Sequence, residues 1–185
     1  MKITGILCSP RPEGNTAHLV QEVLKGAAEA GADTTLLRID DLDIHPCKGC
    51  MACRETRRCV QRDDMDRVMA ELEQAAGLVV GTPIYLDHVT AQAKIFLDRL
   101  FPYIGPDLEK RFPPGVKAVA VLTWEHPKEH AYDRVAEWLR GRLEFYFGIE
   151  TIATLTAADT GNHPAAERAD LTAAARQAGR QLAAD

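Results

Sequence analysis

The sequence contains no apolar run of about 20 residues, which is the length that a membrane-spanning helix needs. It has no excess of basic residues either, because 22 Lys and Arg stand against 27 Asp and Glu, a formal net charge of −5. This acidic balance argues against nucleic acid as a partner. No secretory leader is visible, since Lys2 runs straight into a β-branched segment that begins at Ile3. We therefore expect a soluble, cytoplasmic protein that binds neither membranes nor nucleic acid.

Two phosphate-binding fingerprints are also missing. The sequence has no G-x-x-x-x-G-K-[ST], which argues against a nucleoside triphosphatase, and no G-x-G-x-x-G opens the first predicted helix. A tightly held dinucleotide is therefore not expected. With 185 residues, 46% of them hydrophobic, the chain is long enough for one well-packed core and short for two. We expect a single domain over residues 1–185, with a cysteine-rich loop at 45–63.

Short β-branched segments alternate with longer amphipathic ones along the chain. This alternation predicts parallel strands joined by right-handed helical crossovers, which is a doubly wound α/β sheet with helices on both faces. The predicted strands are 3–7, 34–39, 78–81, 116–122 and 149–155, and the predicted helices are 16–30, 64–74, 90–100, 132–146 and a C-terminal one.

Ligands of such a sheet bind at the carboxyl ends of the strands, where the strand order reverses. For a five-stranded sheet of order 2-1-3-4-5, this point lies between the first and third strands. The loops at 8–15 and 82–89 are therefore the predicted ligand-binding loops.

The loop after the first strand carries several groups that suit an anion. Ser9, Asn15 and Thr16 offer side-chain donors, Gly14 permits close approach to the backbone, and Arg11 supplies positive charge. The helix that follows would direct its positive end at the same place. An ordinary turn capped by Asn15 or Thr16 has the same composition, so the pattern by itself leaves both readings open.

Four of the five cysteines form the run Cys47-x2-Cys50-x2-Cys53-x5-Cys59. Zinc sites usually combine two separated Cys-x2-Cys pairs, whereas this single compact run is closer to the spacing of bacterial iron–sulfur sites. The surrounding loop is basic, which suits thiolates and an anionic cluster. The run therefore has three interpretations, which are an iron–sulfur cluster, an empty or degraded site, and a zinc ion. The missing leader argues against disulfides.

Three motifs then occur in register. They are Ser9-Pro-Arg-x-x-Gly-Asn-Thr16, Thr82-Pro83-Ile84-Tyr85 and Ala91-Gln92-x-Lys94-x-Phe96-x-Asp98-Arg99. Together they resemble the flavodoxin-like FMN reductase superfamily over about residues 2–160. With the cysteine run and the Asp63-Asp64-Met65 that closes its loop, the chain is most similar to the iron–sulfur flavoprotein branch.

The resemblance implies a flavodoxin-like fold and assigns roles to particular residues. Ser9, Arg11, Asn15 and Thr16, in the loop that contains Gly14, would hold the FMN phosphate, while Pro83, Ile84 and Tyr85 would lie against the flavin ring. Cys47, Cys50, Cys53 and Cys59 would bind a [4Fe-4S] cluster. The loop at 123–127 lacks the glycines common in plain reductases, and we expect Trp124 to fill the core. No catalytic side chain is expected, because a flavin carries its own chemistry.

The resulting hypothesis is an FMN-dependent electron-transfer oxidoreductase that passes electrons between FMN and the cluster, with both sites on neighbouring loops of one sheet edge. The alternatives are an NAD(P)H-dependent reductase of flavins, quinones or nitro compounds without a cluster, and a redox or metal sensor. Expected partners are a small-molecule or ferredoxin-like electron donor or acceptor and further copies of the chain, as a homodimer or homotetramer. Phe101, Tyr103 and Ile104 are candidates either for such a subunit surface or for the core.

Overall fold

A computed structural model describes residues 1–184 of the chain. Its strands are β1 (Lys2–Leu7), β2 (Asp33–Arg38), β3 (Gly77–Tyr85), β4 (His88–Val89), β5 (Lys117–Thr123) and β6 (Glu150–Ala157). Its helices are α1 (Asn15–Glu29), α2 (Cys53–Thr56), α3 (Met65–Leu72), α4 (Ala91–Arg99), α5 (Asp133–Arg142) and α6 (Ala169–Leu182). A π-helical turn, Leu143–Phe147, continues α5, and short 3-10 turns lie at Ile39–Asp41, Phe101–Tyr103, Pro106–Leu108 and Ala165–Glu167.

The sheet has the order β2-β1-β3-β5-β6, and neighbouring strands along this path run parallel. Counted along the chain, these five strands have the predicted order 2-1-3-4-5, so the doubly wound α/β fold is confirmed. The sixth strand, β4, was not predicted. It pairs antiparallel with the end of β3 through a turn in which Leu86 and Asp87 have φ values of 46° and 63°. Sequence reasoning missed this turn because its central residues are not the Asn-Gly or Gly pairs that favour such φ values.

The sheet separates two hydrophobic cores, because successive side chains of a strand point to opposite faces. On one face, Ile3 and Leu7 of β1 pack with residues of α1 and α6, including Val20 and Leu182. On the other face, Ile6 packs in the core that includes residues of α3, α4 and α5. The helices on both faces hold the strand ends in fixed positions, and these ends carry the candidate site.

Helices α1 and α6 pack closely at two glycines. A Cβ atom at Gly26 would collide with the backbone of Arg176, and one at Gly179 would collide with the backbone carbonyl of Val23. Glu22 of α1 is buried, and its Oε2 accepts a hydrogen bond of 2.6 Å from Nε of Arg176 in α6, which makes an ion pair. Burial alone raises the pKa of Glu22, but its contacts with Lys25 and Arg176 outweigh this and hold the pKa below its usual value. The middle and the carboxyl-terminal half of α1 are therefore fixed by α6.

The segment after α4 covers the chain's own core. Tyr103 and Ile104 are 6% and 5% exposed, and Tyr103 packs edge-on against Phe112 with ring centroids 4.7 Å apart. Tyr103 and Ile104 are thus core residues, whereas Phe101 is half-buried. No helix within residues 1–184 combines the length and the apolar content that crossing a bilayer requires.

Candidate functional site

A cavity opens at the carboxyl ends of β1, β3 and β5, at the point where the strand order reverses. All eight residues predicted to bind a cofactor line this cavity, together with four others. The lining residues are Ser9, Arg11, Gly14, Asn15, Thr16, Pro83, Ile84, Tyr85, Thr123, Trp124, Glu125 and Thr160. We call it the strand-end cavity.

Gly14 is the N-cap of α1, so no side chain occupies the capping position. No side chain of the described residues forms a capping hydrogen bond there. The first N–H groups of a helix have no partner within the helix, and a glycine at the cap leaves them open to a ligand. The alternative reading of this loop, a turn capped by Asn15 or Thr16, is therefore wrong.

Asn15 and Thr16 line the cavity, but their polar atoms also hold the surrounding loops together. Asn15 Nδ2 donates to the carbonyl of Thr160 at 3.3 Å, and Asn15 Oδ1 accepts from the N–H of Ala165 at 2.7 Å. The hydroxyls of Thr16 and Thr123 are hydrogen-bonded at 2.7 Å. Both side chains thus join the start of α1 to the ends of β5 and β6, which fixes the positions of the backbone N–H groups.

Ser9 shapes the loop in a similar way. The residue is buried, with 3% of its surface exposed, and its hydroxyl accepts a hydrogen bond from the N–H of Arg11 at 3.2 Å. The Arg11 guanidinium lies 3.8 Å from Glu125 Oε1, with both side chains about 70% exposed. Such an exposed ion pair contributes little stability. Arg11 can therefore leave Glu125 for an anionic ligand at small cost.

Pro83, Ile84 and Tyr85 form another side of the cavity, at the end of β3. The backbone here is fixed by Thr90, whose hydroxyl donates to the carbonyl of Cys8 at 2.7 Å and whose N–H donates to Thr82 Oγ1 at 3.2 Å. Thr90 also caps α4 by accepting from the N–H of Ala93. The strand end thus presents a rigid and largely apolar wall next to the polar end at α1.

Four lining residues were not among the predicted cofactor-binding residues. Trp124 is 3% exposed and donates from Nε1 to the carbonyl of Lys128 at 3.1 Å, so it fills the core as expected while one side reaches the cavity. Thr160 donates from its hydroxyl to the carbonyl of Trp124 at 3.1 Å. Thr123, Glu125 and Thr160 lie at or just after the ends of β5 and β6. The rule that ligands meet strand carboxyl ends would have found them if it had been applied to those strands too.

The four clustered cysteines line a second cavity, which we call the cysteine cavity. It also contains residues of the 48–61 loop and Phe101. Cys53 is buried, Cys59 is intermediate, and Cys47 and Cys50 are exposed. Burial raises the pKa of the Cys53 thiol, and the charges of the other three thiols add to that rise. All four sulfur atoms are therefore close enough to interact electrostatically.

The cysteine loop is closed at its neck by hydrogen bonds between its two ends. The backbone N–H of Asp43 donates to Asp64 Oδ2 at 2.8 Å, and the N–H of Asp64 donates to the carbonyl of Asp43 at 3.1 Å. One step further in, Gln61 Nε2 donates to the carbonyl of Pro46 at 3.1 Å. The loop tip is held separately, because Arg54 Nη2 donates to the carbonyl of Gly105 at 3.0 Å.

The cysteine cavity and the strand-end cavity are lined by different parts of the chain. Phe101 follows the last residue of α4, and α4 runs from the carboxyl end of β3 back towards the start of β5. The two cavities share no lining residue in the part of the chain that the structure describes. That the two sites lie on neighbouring loops of one sheet edge stays a prediction.

Within residues 1–184, no three His, Cys, Asp or Glu side chains form a group tight enough to hold a single metal ion. Four buried arginine Nε atoms nevertheless lack a hydrogen-bond acceptor among these residues, those of Arg38, Arg54, Arg99 and Arg142. Of these, Arg54 follows Cys53 along the chain, and Arg99 lines the same groove as Cys59. Unpaired buried donors are rare in folded proteins. The thiols and the donors of Arg54 and Arg99 together fit an anionic group that is coordinated by sulfur.

The family model for NADPH-dependent FMN reductase matches residues 1–162. The chain belongs to this family. The match covers both predicted ligand-binding loops and the cysteine run, so both cavities are formed by residues within the family match.

Curated proteins are similar to part of the chain. An iron-sulfur flavoprotein of Methanocaldococcus jannaschii is 42% identical over 102 residues, which are 55% of this chain and 53% of that protein. Iron-sulfur flavoproteins of Archaeoglobus fulgidus and Methanosarcina thermophila are each 39% identical, over 56% and 54% of this chain and 47% and 52% of their own lengths. The aligned part of the chain spans about half the length of these relatives.

Solved structures with the same fold cover the chain almost completely. An NAD(P)H:quinone oxidoreductase from Methanothermobacter marburgensis matches with a TM-score of 0.76 at 16% identity, over 98% of both chains. An FMN-dependent NADH-azoreductase from Bacillus anthracis, solved with FMN, matches with a TM-score of 0.73 at 14% identity, over 99% of this chain and 100% of its own. At sequence identities this low, the similarity shows a shared fold only.

Proposed function

We propose that the protein is an FMN-dependent electron-transfer oxidoreductase of the iron–sulfur flavoprotein type. The observation that carries the proposal is the presence of two separate cavities in one FMN reductase fold. One combines an open helix amino terminus with an apolar wall, and the other is lined by four thiols. The names of the relatives from Methanocaldococcus, Archaeoglobus and Methanosarcina support the same conclusion.

FMN would bind in the strand-end cavity with its phosphate at the amino end of α1. The uncapped N–H groups that follow Gly14 and the exposed charge of Arg11 supply the anion contacts, while Ser9, Asn15 and Thr16 hold that backbone in place. Pro83, Ile84 and Tyr85 provide the flat apolar side that a flavin ring needs. When bound, FMN supplies two-electron transfer, so the chain itself needs no catalytic side chain.

The cysteine cavity suits a [4Fe-4S] cluster better than a zinc ion. Zn–S bonds of about 2.3 Å would bring the sulfurs of one tetrahedral site to about 3.8 Å from each other. The described residues contain no group as tight as that, although all four thiols line one cavity. A cluster attaches each cysteine to a different iron, so its ligands lie farther apart than those of a single ion. When bound, the cluster supplies one-electron transfer.

We further propose a cytoplasmic homodimer or homotetramer that exchanges electrons with a small-molecule or ferredoxin-like partner, with NAD(P)H as a candidate donor. The five cysteines are free of disulfides, as in a reducing compartment. Tyr85 and Leu86 at the mouth of the strand-end cavity are 42% and 101% exposed. Exposed apolar residues next to a shallow cavity favour its completion by a second copy.

Anaerobic purification followed by iron, flavin and EPR analysis tests this proposal. We expect a yellow protein with about one FMN and about four irons per chain, and a cluster signal that appears on reduction. A protein that contains iron but neither carries nor binds FMN would contradict the flavin assignment. About two irons or fewer, without a cluster signal, would contradict the cluster assignment.

An NAD(P)H-dependent flavin, quinone or nitro reductase without a cluster is the second candidate. It is supported by the match of residues 1–162 to the NADPH-dependent FMN reductase family model. Steady-state turnover of NADPH with a quinone separates the two candidates when all four clustered cysteines are replaced by serine. Unchanged turnover favours the reductase, whereas loss of transfer to one-electron acceptors favours the cluster protein.

A further inference from the structure

Arg99, the last residue of α4, is the most completely buried charged side chain near the cysteine cavity. Its side chain is 1% exposed, and that of its ion-pair partner Asp63 is 3% exposed. A buried ion pair gains little net stability over apolar residues of the same size. Its presence at this position therefore calls for a role in the neighbouring site.

The guanidinium joins α4 to both ends of the cysteine loop. Arg99 Nη1 donates to Asp63 Oδ2 at 2.6 Å and to the carbonyl of His45 at 2.7 Å, and Nη2 donates to Asp63 Oδ1 at 2.9 Å. Asp63 in turn accepts from the backbone N–H groups of His45 and Met65, each at 3.1 Å. One side chain thus fixes the residues that enter and leave the loop at 45–63.

Asp63 is ionised in this arrangement. Burial alone raises its pKa, but the hydrogen bonds from Arg99 and from the two backbone N–H groups outweigh burial and hold the pKa below its usual value. The carboxylate and the guanidinium therefore neutralise each other. Any further anion beside Arg99 has to be stabilised by donors that Asp63 does not use.

Arg99 has such a donor, and it has an anion-forming neighbour. A guanidinium carries five N–H groups, and Arg99 Nε is buried without an acceptor among residues 1–184. The thiol of Cys59 lies beside the guanidinium. Arg99 and Cys59 also line the same groove, which runs between the loop and α3.

We propose that Arg99 is the positioning residue of the cysteine site: it fixes the neck of the loop through Asp63 and His45, and its free N–H groups stabilise the sulfur ligand of Cys59. The proposal rests on the cluster assigned above. Hydrogen bonds to the sulfurs and the net charge of a site set the potential of a cluster. Arg99 therefore favours the reduced, more negative state, whereas Asp63 opposes it.

The same helix begins at the other cavity. Thr90, the N-cap of α4, is hydrogen-bonded to Cys8 and Thr82 next to the strand-end cavity, and Arg99 ends the helix nine residues later. At about 1.5 Å per residue, α4 is about 14 Å long. One rigid element thus sets the position of the cysteine site relative to the strand-end cavity.

The test compares cluster reduction potentials, measured by anaerobic redox titration followed by EPR, in the FMN-loaded protein. For Arg99→Gln we expect the cluster's affinity for an electron to fall at least tenfold, which is a shift of about 59 mV to more negative potential. For Asp63→Asn we expect a shift in the opposite direction. A purely structural role would instead loosen the loop in both variants and move both potentials the same way.

Arg58→Gln is the matched control, because it removes one positive charge from an exposed position directly before Cys59. Solvent screens that charge, so the electron affinity should change by less than twofold. Equal shifts in Arg99→Gln and Arg58→Gln, or shifts of the same sign in Arg99→Gln and Asp63→Asn, would overturn the inference.

FMN content shows whether each variant is folded, because the strand-end cavity lies outside the altered region. If Arg99→Gln does not fold, Arg99→Lys replaces it: an ammonium cannot form the bidentate contact, and we expect at least half of the cluster iron to be lost. Full iron retention in Arg99→Lys would overturn the positioning role.

A wild-type protein without cluster iron would overturn both this inference and the cluster assignment, whereas a wild-type cluster with unshifted variants would overturn the inference alone.

Discussion

Gly14 shows how a single residue can favour binding over stability. A Ser, Asp or Asn at this N-cap would stabilise α1, because its side chain would accept hydrogen bonds from the first N–H groups. Glycine leaves these groups free at the floor of the strand-end cavity. The residue type thus fits a helix end that is reserved for an anionic ligand.

Replacing Gly14 by Asp should separate binding from stability. We expect the free energy of unfolding without ligand to stay equal or to rise by about 0.3–1 kcal/mol, because a carboxylate interacts favourably with a helix amino terminus. FMN should bind at least tenfold more weakly, which corresponds to about 1.4 kcal/mol, because the carboxylate occupies the phosphate position and repels it. Urea unfolding and flavin fluorescence titration measure the two quantities.

Gly14→Asn is the control for this change. It adds a side chain of the same size without the charge, and both variants place a Cβ 3.0 Å from the Cβ of Arg11. Equal FMN affinities in the Asp and Asn variants would contradict a phosphate at this helix end.

At the scale of elements, the contact between α1 and α6 depends on two glycines that a sequence pattern does not single out. Gly26 and Gly179 let the two helix backbones approach until there is no room for a Cβ. This contact buries Glu22, which forms its ion pair across the same interface. The helix whose amino end forms the proposed phosphate site is therefore held against α6 along its middle and its carboxyl-terminal half.

Gly179→Ala should destabilise the protein by about 1–3 kcal/mol, because the new methyl group forces the helices apart. Gly141→Ala is the matched control in α5, where a new Cβ would meet nothing within 4 Å. There we expect a gain of about 0.5–1 kcal/mol from the better helix propensity of alanine. Denaturant unfolding of both variants measures the difference, and a stabilised Gly179→Ala protein would disprove the close packing.

At the scale of the whole molecule, the two sites depend on different parts of the fold. The strand-end cavity is formed by loops that both cores hold in place, whereas the cysteine loop is attached through its neck, α2 and Arg99. The cysteine loop contributes little to the two hydrophobic cores. Loss of the cluster should therefore leave the sheet and the flavin site intact.

Replacing Cys47, Cys50, Cys53 and Cys59 by serine should remove the iron and leave the dissociation constant of FMN within about threefold of the wild-type value. Cys8→Ser should instead lower the stability of the protein without removing iron. Cys8 is fully buried, and burial raises the pKa of its thiol. A serine hydroxyl at this apolar position should lower the free energy of unfolding by about 1–3 kcal/mol, while the iron is retained. Iron content, FMN titration and thermal unfolding distinguish these patterns, and loss of FMN binding in the fourfold variant would show that the sites are coupled.

The hydrophobic pattern was sufficient to predict the five parallel strands and two of the loops that line the strand-end cavity, and the order of the strands was implied by the resemblance to flavodoxin-like reductases. It could not predict β4, because the turn at Leu86 and Asp87 has no glycine or asparagine to signal its positive φ values. Nor could it show that Asn15 and Thr16 tie loops together, since a side-chain donor looks the same in sequence whichever acceptor it meets. That residues 1–185 form a single domain stays a prediction.

The sequence alone determined the periodicity of the elements, the spacing of the four cysteines and the chemistry available at each strand end, because these depend on residues that are close along the chain. The tertiary structure decided where the cysteine loop lies and that Arg99 and Asp63 meet. These two residues are separated along the chain by α3, β3, β4 and the rest of α4, and only the packing of those elements brings a guanidinium and a carboxylate into one buried contact.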